Sequence, residues 1–284
     1  ITFNAAMSAC SKGQRWRLAL QLLLELKSSG PQPSAISFNT AIGACGRGSQ
    51  WLLALSLLRE LGARRLGPEM ASYNAAIGAC GLAMQWAVAL DILEEASCPG
   101  LRPCSITYNA AISACSWGHA WPRALDQLEA MLSGRFGAPR PDVVAYDAAM
   151  SACERGRAWS WALQLFEDLR PARLEPTLIT YNTAISACDK ASRWAQALAL
   201  LAASGQCGQG PSVVGFGAAL SACTRAERWL LGLSLLDQMR QHSIRANAVM
   251  SGITTALVPA LAAARRGEAR VLLKRGPLHP HSET

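Results

Sequence analysis

The chain has 284 residues, 51% of them hydrophobic, with Ala and Leu well ahead of the β-branched residues, a composition that favours helix. Its 27 basic against 19 acidic residues give a net charge of +8, which favours an anionic partner such as nucleic acid. No apolar run approaches the roughly 18 residues of a membrane span, and ten cysteines without a single Cys-x-x-Cys argue against a zinc site and for a reducing compartment.

The first element opens with Phe3-Asn4, reaches Cys10 six residues past the Asn, and is followed by Trp16 after another six. The same series recurs from Phe38-Asn39, Tyr73-Asn74, Tyr108-Asn109, Tyr146-Asp147, Tyr181-Asn182 and Phe216-Gly217, at a spacing of 35 throughout except for 38 between Asn109 and Asp147. A fixed period of this length means a solenoid, in which each unit packs on its neighbours alone. The expected units are 1–34, 35–69, 70–104, 105–142, 143–177, 178–212 and 213–247, with a degenerate unit or cap over 248–284. Ile1 opens the chain in mid-repeat without Met, so further sequence, and any targeting segment in it, is expected before it.

Within the first unit, Phe3, Met7 and Cys10 fall at i, i+4, i+7, one apolar face of a helix. Gly13, matched by Gly48, Gly118 and Gly156, reads as the glycine that ends this helix. From Trp16 a second helical face runs through Ala19, Leu20 and Leu23, and Pro33 closes the unit, as Pro68, Pro103, Pro141, Pro176 and Pro211 close the others. Each unit is therefore a predicted helical hairpin. The seven periodic cysteines read as small buried apolar residues, because stacked units lie roughly 10 Å apart and bridged Cα atoms need about 4.4–6.8 Å. In the fourth unit, residues 134–141 hold the three-residue insertion, expected as a longer surface loop.

The other face of the first helix is polar. Asn4, Ser8 and Lys12 fall at i, i+4, i+8, and the equivalent stripes are Asn39-Gly43-Arg47, Asn74-Gly78-Leu82, Asn109-Ser113-Trp117, Asp147-Ser151-Arg155, Asn182-Ser186-Lys190 and Gly217-Ser221-Arg225. Asn is a poor residue for a helix interior, so its return in five units needs a reason. One is structural, an amide ladder or a local backbone bond. The other is functional: an amide both donates and accepts, as a nucleobase edge does. The stripe ends on Lys12, Arg47, Arg155, Lys190 and Arg225, and a polar group above a phosphate-seeking charge suits a single-stranded nucleic acid.

The starts Thr2-Phe3-Asn4, Ser37-Phe38-Asn39, Ser72-Tyr73-Asn74, Thr107-Tyr108-Asn109 and Thr180-Tyr181-Asn182 resemble the pentatricopeptide repeat family. So do the Ala-Leu pairs of the second helix: Ala19-Leu20, Ala54-Leu55, Ala89-Leu90, Ala124-Leu125, Ala162-Leu163 and Ala197-Leu198. The resemblance runs from residue 1 to about 252. It implies an all-α fold, an α-solenoid wound as a right-handed superhelix of helical hairpins, that binds single-stranded RNA at one base per repeat. It further implies that each base is read by the Asn after the aromatic and the residue after the closing Pro. Those pairs are Asn4 with Ser34, Asn39 with Glu69, Asn74 with Cys104, Asn109 with Asp142, Asp147 with Thr177, Asn182 with Ser212, and Gly217 with Asn247. In the family, Asn with Ser resembles a cytosine reader and Asn with Asp a uracil reader, so the expected RNA is pyrimidine-rich, C-Y-Y-U-N-C-N from 5′ to 3′. Glu69, Cys104 and Thr177 depart from the usual pairs, and Gly217 offers no reader. Ile1, Ile36, Ile106, Val144, Ile179 and Val214, three residues before each reader, would wedge between bases, with Ala71 a weak seventh. Lys12, Arg47, Arg155, Lys190 and Arg225 would meet phosphates.

No enzyme is expected. His281-Ser282-Glu283 lacks the later Cys-x-x-Cys a deaminase requires, and acids do not cluster as a nuclease would need. Nor does the sequence call for a cofactor, a metal or a membrane. After Gly252 the pattern decays, and Arg265, Arg266, Arg270, Lys274 and Arg275 decorate a last hairpin that reads as a polar cap. The family resemblance points to transcripts of a plastid or mitochondrion and to recruited RNA-processing proteins. The other class of function open to such a chain is a protein-binding scaffold of the tetratricopeptide kind.

Overall fold

A computed structural model describes residues 2–29, 32–64, 66–97, 101–206 and 212–241, all of whose regular structure is helical. Two units divide the chain, residues 1–176 and 177–284. The first holds α1 (Thr2–Lys12), α2 (Trp16–Ser29), α3 (Ala35–Arg47), α4 (Trp51–Ala63), α5 (Met70–Leu82), α6 (Trp86–Ala96), α7 (Ser105–Trp117), α8 (Trp121–Leu132), α9 (Val143–Arg155) and α10 (Trp159–Asp168). In the second lie α11 (Leu178–Lys190), α12 (Trp194–Gln206), α13 (Val213–Arg225) and α14 (Trp229–Gln241). This is the α-solenoid of helical hairpins that the 35-residue period predicts.

In the first unit the odd-numbered helices pack side by side, α1 on α3, α3 on α5, α5 on α7 and α7 on α9. Each even helix packs on its own odd partner, and α2, α4, α6 and α8 also touch the odd helix that follows. The second unit repeats the arrangement, with α11 against α12 and α13, and α14 against α13. Burial follows the period. Phe38, Ile42 and Cys45 of α3 are wholly buried, as are Ala76, Ile77 and Cys80 of α5 and Ala111, Ile112 and Cys115 of α7. Ala19, Ala54, Ala89, Ala124, Ala162 and Ala197 bury the even helices against them. The small side chains at these places let the helix axes approach closely. Burial pushes the Cys45, Cys80 and Cys188 thiols up to about 11 and those of Cys115 and Cys153 to about 12, the state of inert core residues. The insertion of the fourth repeat is an exposed loop, with a short 3₁₀ turn over Arg135–Gly137 between Gly134 and Gly137 at φ 63° and 71°.

The odd-to-even corner corrects one expectation. The glycines at the helix ends are not in the left-handed region: Gly48, Gly118 and Gly156 have φ of −86°, −83° and −78°. The left-handed residue is the next one, and it is never glycine: Gln14, Ser49, Met84, His119, Arg157, Ser192 and Glu227 all lie at φ 56–58°. One residue further, the N–H of Arg15, Gln50, Gln85, Ala120, Ala158, Arg193 or Arg228 donates to the carbonyl of the periodic Cys at 2.8–2.9 Å. This six-to-one bond, with its inner partner from Gln14 N–H to Ser11 O and its equivalents, is a Schellman motif. The glycines serve a different need. A Cβ at Gly48 would collide with the Trp16 ring, at Gly118 with Trp86 and at Gly156 with Trp121. The Trp that opens each of these even helices thus lies on the corner of the next repeat.

Candidate nucleic-acid interface

The first turn of each odd helix carries the candidate readers. Its N-cap is Ser34, Glu69, Cys104, Asp142, Thr177 or Ser212, each in extended backbone with φ between −87° and −100°. These are the residues expected as second readers, so each has a structural duty as well. Ser212 Oγ accepts from Gly215 N–H at 3.0 Å, and Asp142 Oδ1 from Ala145 N–H at 2.9 Å. Thr177 Oγ1 accepts from Thr180 N–H at 3.2 Å, while Thr180 Oγ1 accepts from Thr177 N–H at 2.9 Å. Ser37, Ser72 and Thr107 return the same bond to the N–H of Ser34, Glu69 and Cys104 at 3.3 Å. Such exchange satisfies donors that the helix start leaves orphaned. Only Ser34 with Ser37 and Thr177 with Thr180 pair a Ser or Thr cap with a hydroxyl three residues on, so the sequence carries little signal for the other caps.

Two residues into the helix sit the expected wedges. Ile36, Ile106, Val144, Ile179 and Val214 are 65%, 68%, 58%, 62% and 62% exposed, an unusual cost for five large aliphatics in the same place. Three residues on, the Asn series is half-buried. Several of these amides meet the cap of the following odd helix. Asn109 Nδ2 donates to both Asp142 oxygens at 3.2 and 3.3 Å, and Ser212 Oγ donates to Asn182 Oδ1 at 2.7 Å. Asn4 Oδ1 accepts from Ser37 Oγ at 2.8 Å, and Ser37 Oγ lies 3.3 Å from Ser34 Oγ, so a hydroxyl relay joins the first pair. Cys104 is a half-exposed thiol whose burial would raise its pKa, but hydrogen bonds from Thr107, the Ile106 backbone and Asn74 turn the net shift downward. Asn39 and Glu69 share no such bond. The Oδ1 atoms of Asn39, Asn74 and Asn109 are buried without a partner. An orphaned buried acceptor costs roughly 1–3 kcal/mol.

The fifth pair divides between the units, with Asp147 buried in α9 and Thr177 capping α11. Ala71 is exposed in the wedge position, and Gly217 lies in α13. Ile1 and Asn247, like the cationic stretch after Gly252, lie outside the described residues.

Two of the cations expected at phosphates contact the preceding repeat. Arg47 reaches back to the preceding repeat, where its Nε donates to Ser11 O at 2.9 Å and a terminal nitrogen contacts Ser11 Oγ. Arg225 pairs with Asp189 Oδ2 at 3.0 Å, again in the preceding repeat. Burial raises the Asp189 pKa, against the opposing pull of Arg225, Ser221 and Lys190. Lys12, Arg155 and Lys190 are exposed. In the third and fourth repeats the same place holds Leu82, 47% exposed, and the half-buried Trp117. Among the described residues, no group of three His, Cys, Asp or Glu side chains could hold a metal ion.

A family model for the pentatricopeptide repeat domain matches residues 1–48, 56–116 and 139–191, more than half of the chain, and one for the single repeat matches residues 36–66. No curated protein matches. Among solved structures, the pentatricopeptide repeat protein PPR10 from maize is similar at 24% identity and a TM-score of 0.61, over 97% of this chain and 39% of that one. PPR10 in complex with an 18-nt psaJ RNA element is similar at 22% identity and a TM-score of 0.61, over 94% of this chain and 44% of the other. The chain therefore spans well under half the length of the protein it resembles, and the likeness establishes the fold.

Proposed function

Because the chain belongs to the pentatricopeptide repeat family, we propose that it binds single-stranded RNA along the odd-helix faces, one base per repeat. The observation that carries this reading is the coupling of an Asn amide to the cap of the next odd helix, beside an exposed aliphatic, in the fourth and sixth repeats. The partner's hydrogen-bonding capacity then sets what the pair offers a base. Ser212 donates to Asn182 Oδ1, which leaves the Asn182 Nδ2 protons for the acceptors of cytosine. Asp142 can only accept; it takes Asn109 Nδ2 and keeps further lone pairs for the N3–H of uracil. Asn4, whose Oδ1 is occupied by Ser37, falls in the cytosine class.

The wedge aliphatics would regain their exposed area between bases. Donors arriving from RNA between the repeats would answer the buried amide oxygens of Asn39, Asn74 and Asn109. The exposed Lys12, Arg155 and Lys190 are the phosphate contacts of this reading, while Arg47 and Arg225 join neighbouring repeats. The RNA so read is pyrimidine-rich, C-Y-Y-U-N-C-N. The same reading extends to transcripts of a plastid or mitochondrion, with effects on RNA processing, stability or translation, and to processing proteins recruited there. Selection of bound RNA from a random pool tests it. The expected result is enrichment of C and U at the first, fourth and sixth positions in that register. No retained RNA, or a pool without a motif, would overturn it in favour of a protein-binding scaffold.

A further inference from the structure

The row of cations along the odd helices is interrupted. Lys12, Arg47 and Arg155 occupy the eighth residue past each reader in the first, second and fifth repeats, but the third and fourth carry Leu82 and Trp117. Trp117 lies on the reading stripe itself, two helical turns from Asn109 and one from Ser113. Its ring is seated on the preceding repeat. A Cβ added to the wholly backbone surface of Gly81 would stand 3.0 Å from Cε3 and Cζ3 of that ring, and 3.1 Å from Ala114 Cβ. The glycine therefore lets the indole lie close against α5, bridging the third and fourth repeats where Arg47 bridges the first and second. On the neighbouring stripe of α5, one turn from Leu82, a Cβ at Gly78 would meet nothing within 4 Å. An aromatic plane fixed by packing, two turns along the stripe from a reader and in place of a charge, has the form of a stacking platform.

We propose that Trp117, seated on Gly81 and continued by Leu82, is a base-stacking site that takes the face of one nucleobase of the bound strand in place of a phosphate contact. It rests on the RNA-binding reading above. Stacking tolerates any base, so the site adds affinity without adding sequence preference, and it is not screened by salt. The middle of the strand would be held by an apolar contact and its flanks by charge.

The experiment measures binding of the selected RNA and of seven copies, each with one abasic position, to wild type, Trp117→Leu and Trp117→Lys. Leu keeps an apolar group on Gly81, which guards the fold; circular dichroism melting checks it. Wild type should lose roughly ten-fold in affinity for one abasic RNA beyond the loss shown by the others. Trp117→Leu should weaken the intact RNA by a similar factor, equally at low and high salt, and should abolish the extra loss at that one position. Trp117→Lys should recover affinity at low salt with a steeper salt dependence. The inference is overturned if Trp117→Leu binds like wild type, if its loss shrinks with added salt, or if it weakens all abasic RNAs and the intact RNA by one common factor. Failure of wild type to bind any RNA would instead overturn the functional reading on which it rests.

Discussion

The two ends of each odd helix have different characters. At the C-terminal end the same six-to-one bond to the periodic Cys carbonyl closes every described corner, at 2.8–2.9 Å, whatever residue supplies the N–H. At the N-terminal end the cap changes from repeat to repeat through Ser, Glu, Cys, Asp, Thr and Ser, large aliphatics stand exposed, and three amide oxygens are buried without partners. Uniform in its backbone closure at one end, varied in its caps at the other: the C-terminal end specifies the stack, and the N-terminal end is free to differ because the stack does not depend on which cap it holds. Substitutions at the two ends should therefore separate stability from base preference.

The largest effect is expected at the corner. Gly118→Ala places a methyl into the Trp86 ring, and overpacking of this kind costs about 1–3 kcal/mol. Thermal melting should fall, while base preference in the folded fraction stays as it was. If Gly118→Ala melts like wild type, the Trp does not require the glycine, and the corner is less uniform than the bonding suggests.

The complementary test sits at the cap. Ser212→Asp keeps a good N-cap for Gly215 N–H, so melting should hardly move. A carboxylate can no longer donate to Asn182 Oδ1; the amide must turn its Nδ2 toward it, as Asn109 does toward Asp142. Preference at one RNA position should shift from C toward U by about 1 kcal/mol, one net hydrogen bond. A shift at several positions together, or none, would break the independence of the N-terminal ends.

The fold was largely legible in the sequence. Phe, Cys and Trp at fixed spacing gave the hairpins, and the buried Phe38, Ile42 and Cys45 are the face the spacing predicts. What was misread was the corner. Glycine next to a helix end suggests left-handed backbone, yet Gly118 is there for the Trp86 ring, and that contact joins residues 32 apart in sequence. Only the stack brings them together. The contacts of Asn109 with Asp142 and of Asn182 with Ser212 follow from the same period as the repeats, since each pair stands in register. The occupation of Arg47 by Ser11 was not legible, because a stripe on one helix says nothing of what the neighbouring helix offers it.

Salt sharpens the distinction among the cations. With Lys12, Arg155 and Lys190 on phosphates, log K should fall against log salt with a slope of about −2, at roughly −0.7 per contact on a single strand. Lys12→Ala should reduce that slope by about 0.7 and leave melting unchanged. Arg47→Ala should do the reverse, lowering melting through its lost bonds to Ser11 and leaving the slope alone. Equal slopes in the two variants would return Arg47 to the RNA.

Asp189 places a pH dependence inside the stack. Its folded-state pKa is raised, chiefly by burial, so folding favours the protonated carboxyl. That contribution is present in acid, below the usual carboxylate range, and is lost as pH rises through the raised value. Amide exchange in α11 and α13 should therefore quicken, relative to Asp189→Asn, between acid and neutral pH. A wild type that gains protection over the same interval would mean that the Arg225 pairing outweighs burial.

The smallest effect tests whether the corner is as relaxed as its bonds imply. Met84 holds φ 58° and is 64% exposed, so its side chain contributes little packing while its Cβ bears the left-handed backbone. Left-handed conformations disfavour most side chains, and Asn is among the few that enter them readily. Glycine would relieve the backbone but would loosen the unfolded chain, and the two terms oppose. Asn avoids that loss. Met84→Asn should raise stability by about 0.5 kcal/mol, seen as a small rise in the denaturant midpoint at constant slope. Because Met84 lies outside the Asn74-Gly78-Leu82 stripe, base preference should not change. A rise in stability accompanied by altered base choice would show that the two ends of the helix are coupled after all.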